Sequence, residues 1–390
     1  MTTFSFAVPT RVAFGAGVRR QIPEVVRAQG WRRVGLAIDH NLADVAVVQE
    51  LIAATTAACD GVVTGYCRVA EPTYDALDAA RGEYVDQQLD ALIAVGGGSA
   101  LDFGKAMAAL VHNPEPALAY RGFEKLTGPV LPIVAVPTTA GTGSEVTPNA
   151  SFVDAREQRK MGINGEAVRP RFAFLDPDLT ASCPRAAAIS AAVDSLVHAT
   201  EAYVAKKSNP MARLFAREGF GRVFNALPAL ASAPDAASRE QVMFGAFLAG
   251  VALMHSGTGP AAAMSYPLGV RYKVPHGYAG GTFLPFVVAH NAAQGADDYA
   301  DLYDVIQGAD PSASRQARAA AFADRLHGLM RDLDVFRDPA ALGLTGPAVD
   351  RFVADTLELS GALEQNPVPF GAAEIKTTID RLSTVRGARA

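Results

Sequence analysis

The run Ala91-Leu-Ile-Ala-Val-Gly96-Gly97-Gly98-Ser99-Ala-Leu-Asp102-Phe-Gly-Lys105 constrains this chain more than any other stretch. A short apolar strand pattern ends in three glycines and a serine, and a helix-compatible segment follows. Strands that turn straight into helices are the unit of parallel α/β architecture. Glycines let the backbone approach a phosphate closely, while the helix N-terminus offers N–H groups and the positive end of its dipole. The run is not the Gly-x-Gly-x-x-Gly fingerprint, because Leu101 stands where the last glycine belongs, and no Gly-Lys-Ser/Thr follows to make a Walker loop. A tight strand-to-helix turn without a ligand is the plainer reading.

The surroundings repeat the pattern. Val34 to Ile38, Ala91 to Val95 and Ile133 to Val136 are continuous apolar runs, as buried parallel strands are. Helix-like segments lie between them over Asp44 to Ala58 and Tyr74 to Gln88. After about Asp178 helical periodicity takes over, in Ala186 to Ala205, Met211 to Leu230, Arg239 to Met254, Arg315 to Leu333 and Gly346 to Leu359. Asn209 with Pro210 is a helix start. The expected organisation is an α/β dinucleotide-binding domain over residues 1–180 and an all-α metal and substrate domain over residues 181–390, consistent with a length of 390 residues.

Composition narrows the class. Lys and Arg number 35 against 40 Asp and Glu, and no basic stripe appears, so no nucleic-acid partner is expected. No signal peptide is read at the start, and apolar runs such as Ala246 to Met254 are too short to span a bilayer, so no membrane association is expected. Cys59, Cys67 and Cys183 form no metal or disulfide pattern, which suits a soluble cytoplasmic protein.

A second loop, Pro137-Thr138-Thr139-Ala-Gly141-Thr142-Gly-Ser144-Glu-Val-Thr147, follows the third strand. Its hydroxyls and glycines suit a dinucleotide's phosphates and ribose, at the strand ends where open α/β sheets bind ligands. A Thr-rich surface loop is the plainer alternative. Asp39 ends the first strand, where a carboxylate accepts from a ribose 2′-hydroxyl and repels a 2′-phosphate, favouring NAD over NADP. The same residue serves equally as a helix cap. Asp194 and His198 are four apart on one helix face, placed to share a divalent cation or simply to pair. His276, between Pro275 and Gly277, is placed to project from a turn as a third ligand.

Together these motifs, with Glu201-Ala-Tyr-Val204 and Tyr266-Pro-Leu-Gly269, resemble the iron-containing (group III) alcohol dehydrogenases, in family order across nearly the whole chain. The resemblance implies the dehydroquinate-synthase-like fold, with the site in the cleft between an α/β and a helical domain. It implies NAD(P)-dependent interconversion of an alcohol and an aldehyde or ketone by hydride transfer. By the family pattern Asp39, Gly97, Gly98, Ser99, Asp102, Thr138, Thr139, Thr142 and Ser144 hold the dinucleotide, with Lys160 and Leu179 nearby. Asp194, His198 and His276 are the metal ligands for iron or zinc, and a homodimer or larger homo-oligomer is expected.

One departure stands out. Family members carry two histidines before the Pro-Leu-Gly; this chain has Ala262 at the ligand position and Tyr266 at the position near substrate. Either three residues retain the cation with water completing its shell, or the enzyme resembles the metal-sparing maleylacetate reductases and a side chain polarises the carbonyl. In both, Tyr266 and His276 are the expected catalytic residues. Arg271 and Lys273, close to His276 in sequence, raise the expectation of a small anionic carbonyl substrate. A lyase of the same fold and a non-catalytic nucleotide-binding protein are the competing readings.

Overall fold

The computed structural model describes residues 3–385; residues 1–2 and 386–390, which the expected domain limits include, lie outside the described residues. The chain divides into two compact units. One is Ala7–Pro184, and the other is residues 185–385 together with residues 3–6.

Among the described residues the first unit has nine strands: β1 (Arg11–Phe14), β2 (Arg33–Asp39), β3 (Gly61–Cys67), β4 (Ala91–Gly96), β5 (Gly122–Phe123), β6 (Ile133–Pro137), β7 (Asn149–Asp154), β8 (Arg159–Asn164) and β9 (Phe172–Leu175). Its helices are α1 (Ile22–Ala28), α2 (Ala46–Thr56), α3 (Tyr74–Arg81) and α4 (Gly98–Leu110). Six strands form a parallel sheet in the order β1-β9-β6-β4-β2-β3. β4 and β6 are buried along their whole length, as their unbroken apolar sequences require. The chain runs from β2 outward to β3 and then returns to β4 on the other side of β2. The carboxyl ends of β2 and β4 therefore flank a topological switch point, where such sheets bind ligands. Gly104 lets α4 lie close on the sheet, since a Cβ there would run into Ala94.

Two features depart from the expectations. The helix expected over residues 74–88 stops at Arg81, because Gly82 follows and Asp86 and Gln88 take left-handed φ values of 64° and 52°. Tyr84 instead turns inward and donates to the Leu36 carbonyl. The antiparallel pair β7–β8, joined in a second sheet to β5, was not expected: Arg159-Lys-Met-Gly-Ile-Asn164 shows no clean apolar alternation.

The second unit is helical: α5 (Arg185–Val204), α6 (Pro210–Ser232), α7 (Ala236–Met254), α8 (Pro260–Tyr272), α9 (His276–Ala293), α10 (Tyr299–Tyr303), α11 (Arg315–Asp332), α12 (Pro347–Leu357), α13 (Ser360–Leu363) and α14 (Ala372–Leu382). The Asn209-Pro210 pair starts α6 as expected, with Asn209 Oδ1 accepting from the N–H groups of Met211 and Ala212 at 3.0 Å each. No helix of the described residues is long and apolar enough to cross a membrane. The three cysteines are free thiols.

Candidate active site

At the carboxyl edge of the large sheet the two glycine- and threonine-rich loops meet. Gly96 has φ of 150°, and a Cβ there would lie 2.9 Å from the Asp39 Cβ and 2.6 Å from that of Ala100. Only glycine lets the ends of β2 and β4 come so close. Gly97 faces Thr139, and a Cβ on Gly98 would sit 2.5 Å from the Thr142 Cγ2. Asp39, Gly97, Gly98, Thr139 and Thr142 are thus neighbours. Gly97 is the N-cap of α4 and supplies no side chain, so no side-chain cap bond reaches the first-turn N–H groups of α4. Thr138 is buried and its N–H donates to the Gly96 carbonyl, tying β6 to β4. Asp39 Oδ1 accepts from the Asn41 backbone and side chain, both at 3.0 Å, so it does act as a cap. No hydrogen bond to its Oδ2 is seen among the described residues.

The remaining residues expected near the dinucleotide have partners within the protein. Asp102 accepts from the Ser144 hydroxyl at 2.6 Å and from the Ser151 N–H at 2.8 Å, so Asp102 and Ser144 knit α4 to the Thr-rich loop and β7. Burial nonetheless pushes the Asp102 carboxyl up. Lys160 forms an ion pair with Glu71 at 3.2 Å. Leu179 is packed in the sheet's apolar core. Sequence reasoning missed Lys105, which is wholly buried and donates to the carbonyls of Thr147 and Asn149 at 3.0 and 2.8 Å. Desolvation lowers its ammonium to about 8, against the opposing pull of Asp102 and Glu145. The signal was a lysine in the apolar face of α4.

In the helical unit Asp194, His198 and His276 come together. Asp194 Oδ1 lies 3.5 Å from His198 Nε2 and 3.7 Å from His276 Nε2, and the three donor atoms lie within 4.8 Å of one another. Asp194 and His198 share a face of α5 through their i, i+4 spacing. His276 is not on a turn, as expected, but is the first residue of α9, with Pro275 as N-cap. Gly277 explains its approach: a Cβ there would collide with the Ser190 carbonyl, one turn before Asp194 on α5. The glycine lets α9 start against the α5 backbone and delivers His276 beside Asp194. Two imidazoles and a carboxylate converging from one side form a donor set that suits a divalent cation such as iron or zinc.

The departure from the family pattern lies on α8. This helix runs through Pro267, a residue that normally interrupts helices, so sequence reading did not foresee it. Ala262 is buried and presents only a methyl group, while the half-buried Tyr266 packs edge-on against His276 at 5.3 Å between ring centroids. Gly259, the N-cap of α8, brings no capping side chain; Glu201 on α5 takes that role. Its carboxylate accepts from the N–H groups of Gly259 at 2.8 Å and Ala261 at 2.7 Å, and more distantly from Ala262. Burial outweighs those bonds and pushes the Glu201 carboxyl up to about 7. The signal for Glu201 was a carboxylate one turn past His198 in an otherwise apolar segment. Arg271 forms an ion pair with Asp355 at 2.5 Å, which neutralises one of the two cations expected to attract an anionic substrate.

Comparisons with known proteins assign the chain to a family. Residues 9–177 match the family described as iron-containing alcohol dehydrogenase, and residues 188–382 match the Fe-containing alcohol dehydrogenase family, C-terminal. The chain is 30% identical over 307 residues to the NAD-dependent methanol dehydrogenase of Bacillus methanolicus, covering 77% of this chain and 80% of that one. It is 30% identical over 346 residues to the sulfoacetaldehyde reductase of Bilophila wadsworthia, covering 87% and 88%. The solved structure of sulfoacetaldehyde reductase from Bifidobacterium kashiwanohense in complex with NAD+ has a TM-score of 0.89 at 27% identity, covering 99% of this chain and 100% of that one. The chain belongs to the iron-containing alcohol dehydrogenase family and is an alcohol dehydrogenase or carbonyl reductase of that group.

Proposed function

We propose that the protein interconverts a small alcohol and its aldehyde or ketone, using NAD and a divalent cation, iron or zinc, held by Asp194, His198 and His276. The observation that carries this reading is the convergence of those three donor atoms within 4.8 Å although Ala262 replaces a family ligand. A bound nicotinamide supplies or accepts the hydride, and a bound cation draws charge onto the substrate oxygen.

The chain's own residues do the rest. Asp39 orients the adenosine ribose through Oδ2 and disfavours a 2′-phosphate. The N–H groups at Gly98 and Ser99 receive the pyrophosphate, and Thr138, Thr139 and Thr142 line the adjoining loop. Asp102, Ser144 and Lys105 keep that loop in register from behind. Tyr266, packed against His276, carries the proton that the substrate oxygen gains in reduction and loses in oxidation, at its Oη. The substrate is a small alcohol, aldehyde or ketone; with Arg271 paired to Asp355, Lys273 is the cation left to favour an anionic one.

A panel of short-chain aldehydes with NADH, followed by nicotinamide absorbance, tests the reading. One NADH consumed per aldehyde reduced is expected. Product without net NADH change would point to a lyase, and NADH binding without turnover on any member would point to a non-catalytic binder.

A metal-independent reduction is the second reading, and the methyl of Ala262 is the observation in its favour. Full activity after exhaustive chelation separates it from the first.

A further inference from the structure

We propose that Ser265 is a positioning residue that sets the tautomer of His276 and so presents its Nε2 lone pair to the cation site. The inference rests on the three-ligand reading above.

Ser265 lies on α8, one turn beyond Ala262, and is buried. Its Oγ is 2.6 Å from the Ala262 carbonyl and 3.3 Å from His276 Nδ1. A hydroxyl has one proton and two lone pairs. The shorter contact is to a carbonyl, which can only accept, so the Ser265 proton goes there. Towards His276 the same oxygen is left with lone pairs alone and must accept. The proton between them therefore belongs to His276, on Nδ1. A neutral imidazole with its proton on Nδ1 has a free lone pair on Nε2, the atom 3.7 Å from Asp194 Oδ1.

The device matters here because the other histidine ligand lacks it. His198 Nδ1 is buried without a hydrogen-bond partner in the structure, so nothing described there selects its tautomer. In a site where Ala262 donates nothing, a fixed His276 recovers part of the affinity through preorganisation. Hydrogen bonds behind metal-ligating histidines are typically worth about 10–100-fold in metal affinity. Ser265 also bonds back one turn to Ala262, so the residue that contributes no ligand atom contributes the carbonyl that orients the serine.

The test uses the full-length protein labelled with 15N-histidine, stripped of metal, at mildly alkaline pH, with His276 assigned by its loss in His276→Asn. The wild type should show His276 protonated on Nδ1, and Ser265→Ala should shift it towards the Nε2-protonated form. Zinc affinity, measured by competition with a chelator, should fall about 10–100-fold in Ser265→Ala. Ser265→Thr, which keeps the hydroxyl, should retain the wild-type tautomer. An Nε2-protonated His276 in the wild type overturns the proposal. So does a folded Ser265→Ala, with an unchanged thermal melt, whose tautomer and zinc affinity both match the wild type. The wild-type spectrum needs no variant, so misfolding of Ser265→Ala leaves the question answerable. If the wild type takes up no zinc, the three-ligand reading fails, and the tautomer alone decides the role of Ser265.

Discussion

In the α/β unit the residues proposed to hold a dinucleotide follow one another in short runs at the ends of β2, β4 and β6. In the helical unit the proposed cation ligands come from α5 and α9, brought together by a helix contact that only Gly277 permits. The first arrangement is backbone-driven: glycines set the spacing, and N–H groups and hydroxyls do the binding. The second is side-chain-driven, and the loss of one side chain at Ala262 changes its chemistry outright. The comparison teaches that the two sites should fail independently, each to its own kind of substitution.

The largest expected effect is on the helical unit. Asp194→Ala or His198→Ala should lower kcat by about 10²–10³-fold or more, the scale of losing one preorganised electrostatic group at a reaction centre. NADH affinity should stay within about twofold, as fluorescence titration would show, because uncoupled sites behave additively. A parallel loss of NADH binding would break the proposed independence.

Next comes the α/β unit. Gly98→Ala places a Cβ against Thr142, and overpacking of that kind costs about 1–3 kcal/mol. If the strain is relieved by moving the loop, NADH should bind about 5- to 150-fold more weakly. Metal content, read by elemental analysis, should not change.

Glu201 sharpens the helical side through pH. Its carboxyl is raised from 4.5 to about 7 by burial, so the folded chain holds a proton that the unfolded chain releases. The stabilisation from that proton is fully present below about 4.5 and is lost as pH rises through about 7. Glu201→Gln removes the titration, so the melting temperature of the wild type should decline relative to the variant as pH rises through this window. A wild-type advantage that grows with pH would show that the ionised carboxylate, not the acid, caps α8.

The smallest effect is expected at Arg271. Because Asp355 already neutralises it in a partly buried pair, Arg271→Ala should change the ratio of kcat/KM between an anionic and a neutral aldehyde by no more than about twofold. A collapse confined to the anionic aldehyde would restore the anionic-substrate expectation.

The contrast between the units also explains what could be read from sequence. Strands β2, β4 and β6 and the loops after them were legible because contiguous residues carry both the apolar run and the turn chemistry. The Asp194–His198 pair was legible because helical spacing alone makes it. What escaped was set by distant contacts. Gly277 matters only because the Ser190 carbonyl lies under it, Glu201 because α8 starts without a cap of its own, and Lys105 because two loop carbonyls need a donor. α8 itself was hidden by Pro267, which tertiary packing overrides. β7 and β8 escaped because their pairing, rather than any local pattern, makes them strands.

The central claim is that three residues retain the cation without a fourth ligand. Elemental analysis of protein reconstituted with iron or zinc and freed of excess, paired with activity before and after chelation, tests it most directly. The account predicts one divalent ion per chain, activity lost when it is removed and regained when it is restored, and no ion in His198→Ala. Undiminished turnover by fully chelated protein would contradict it and leave Tyr266 as the group that polarises the carbonyl.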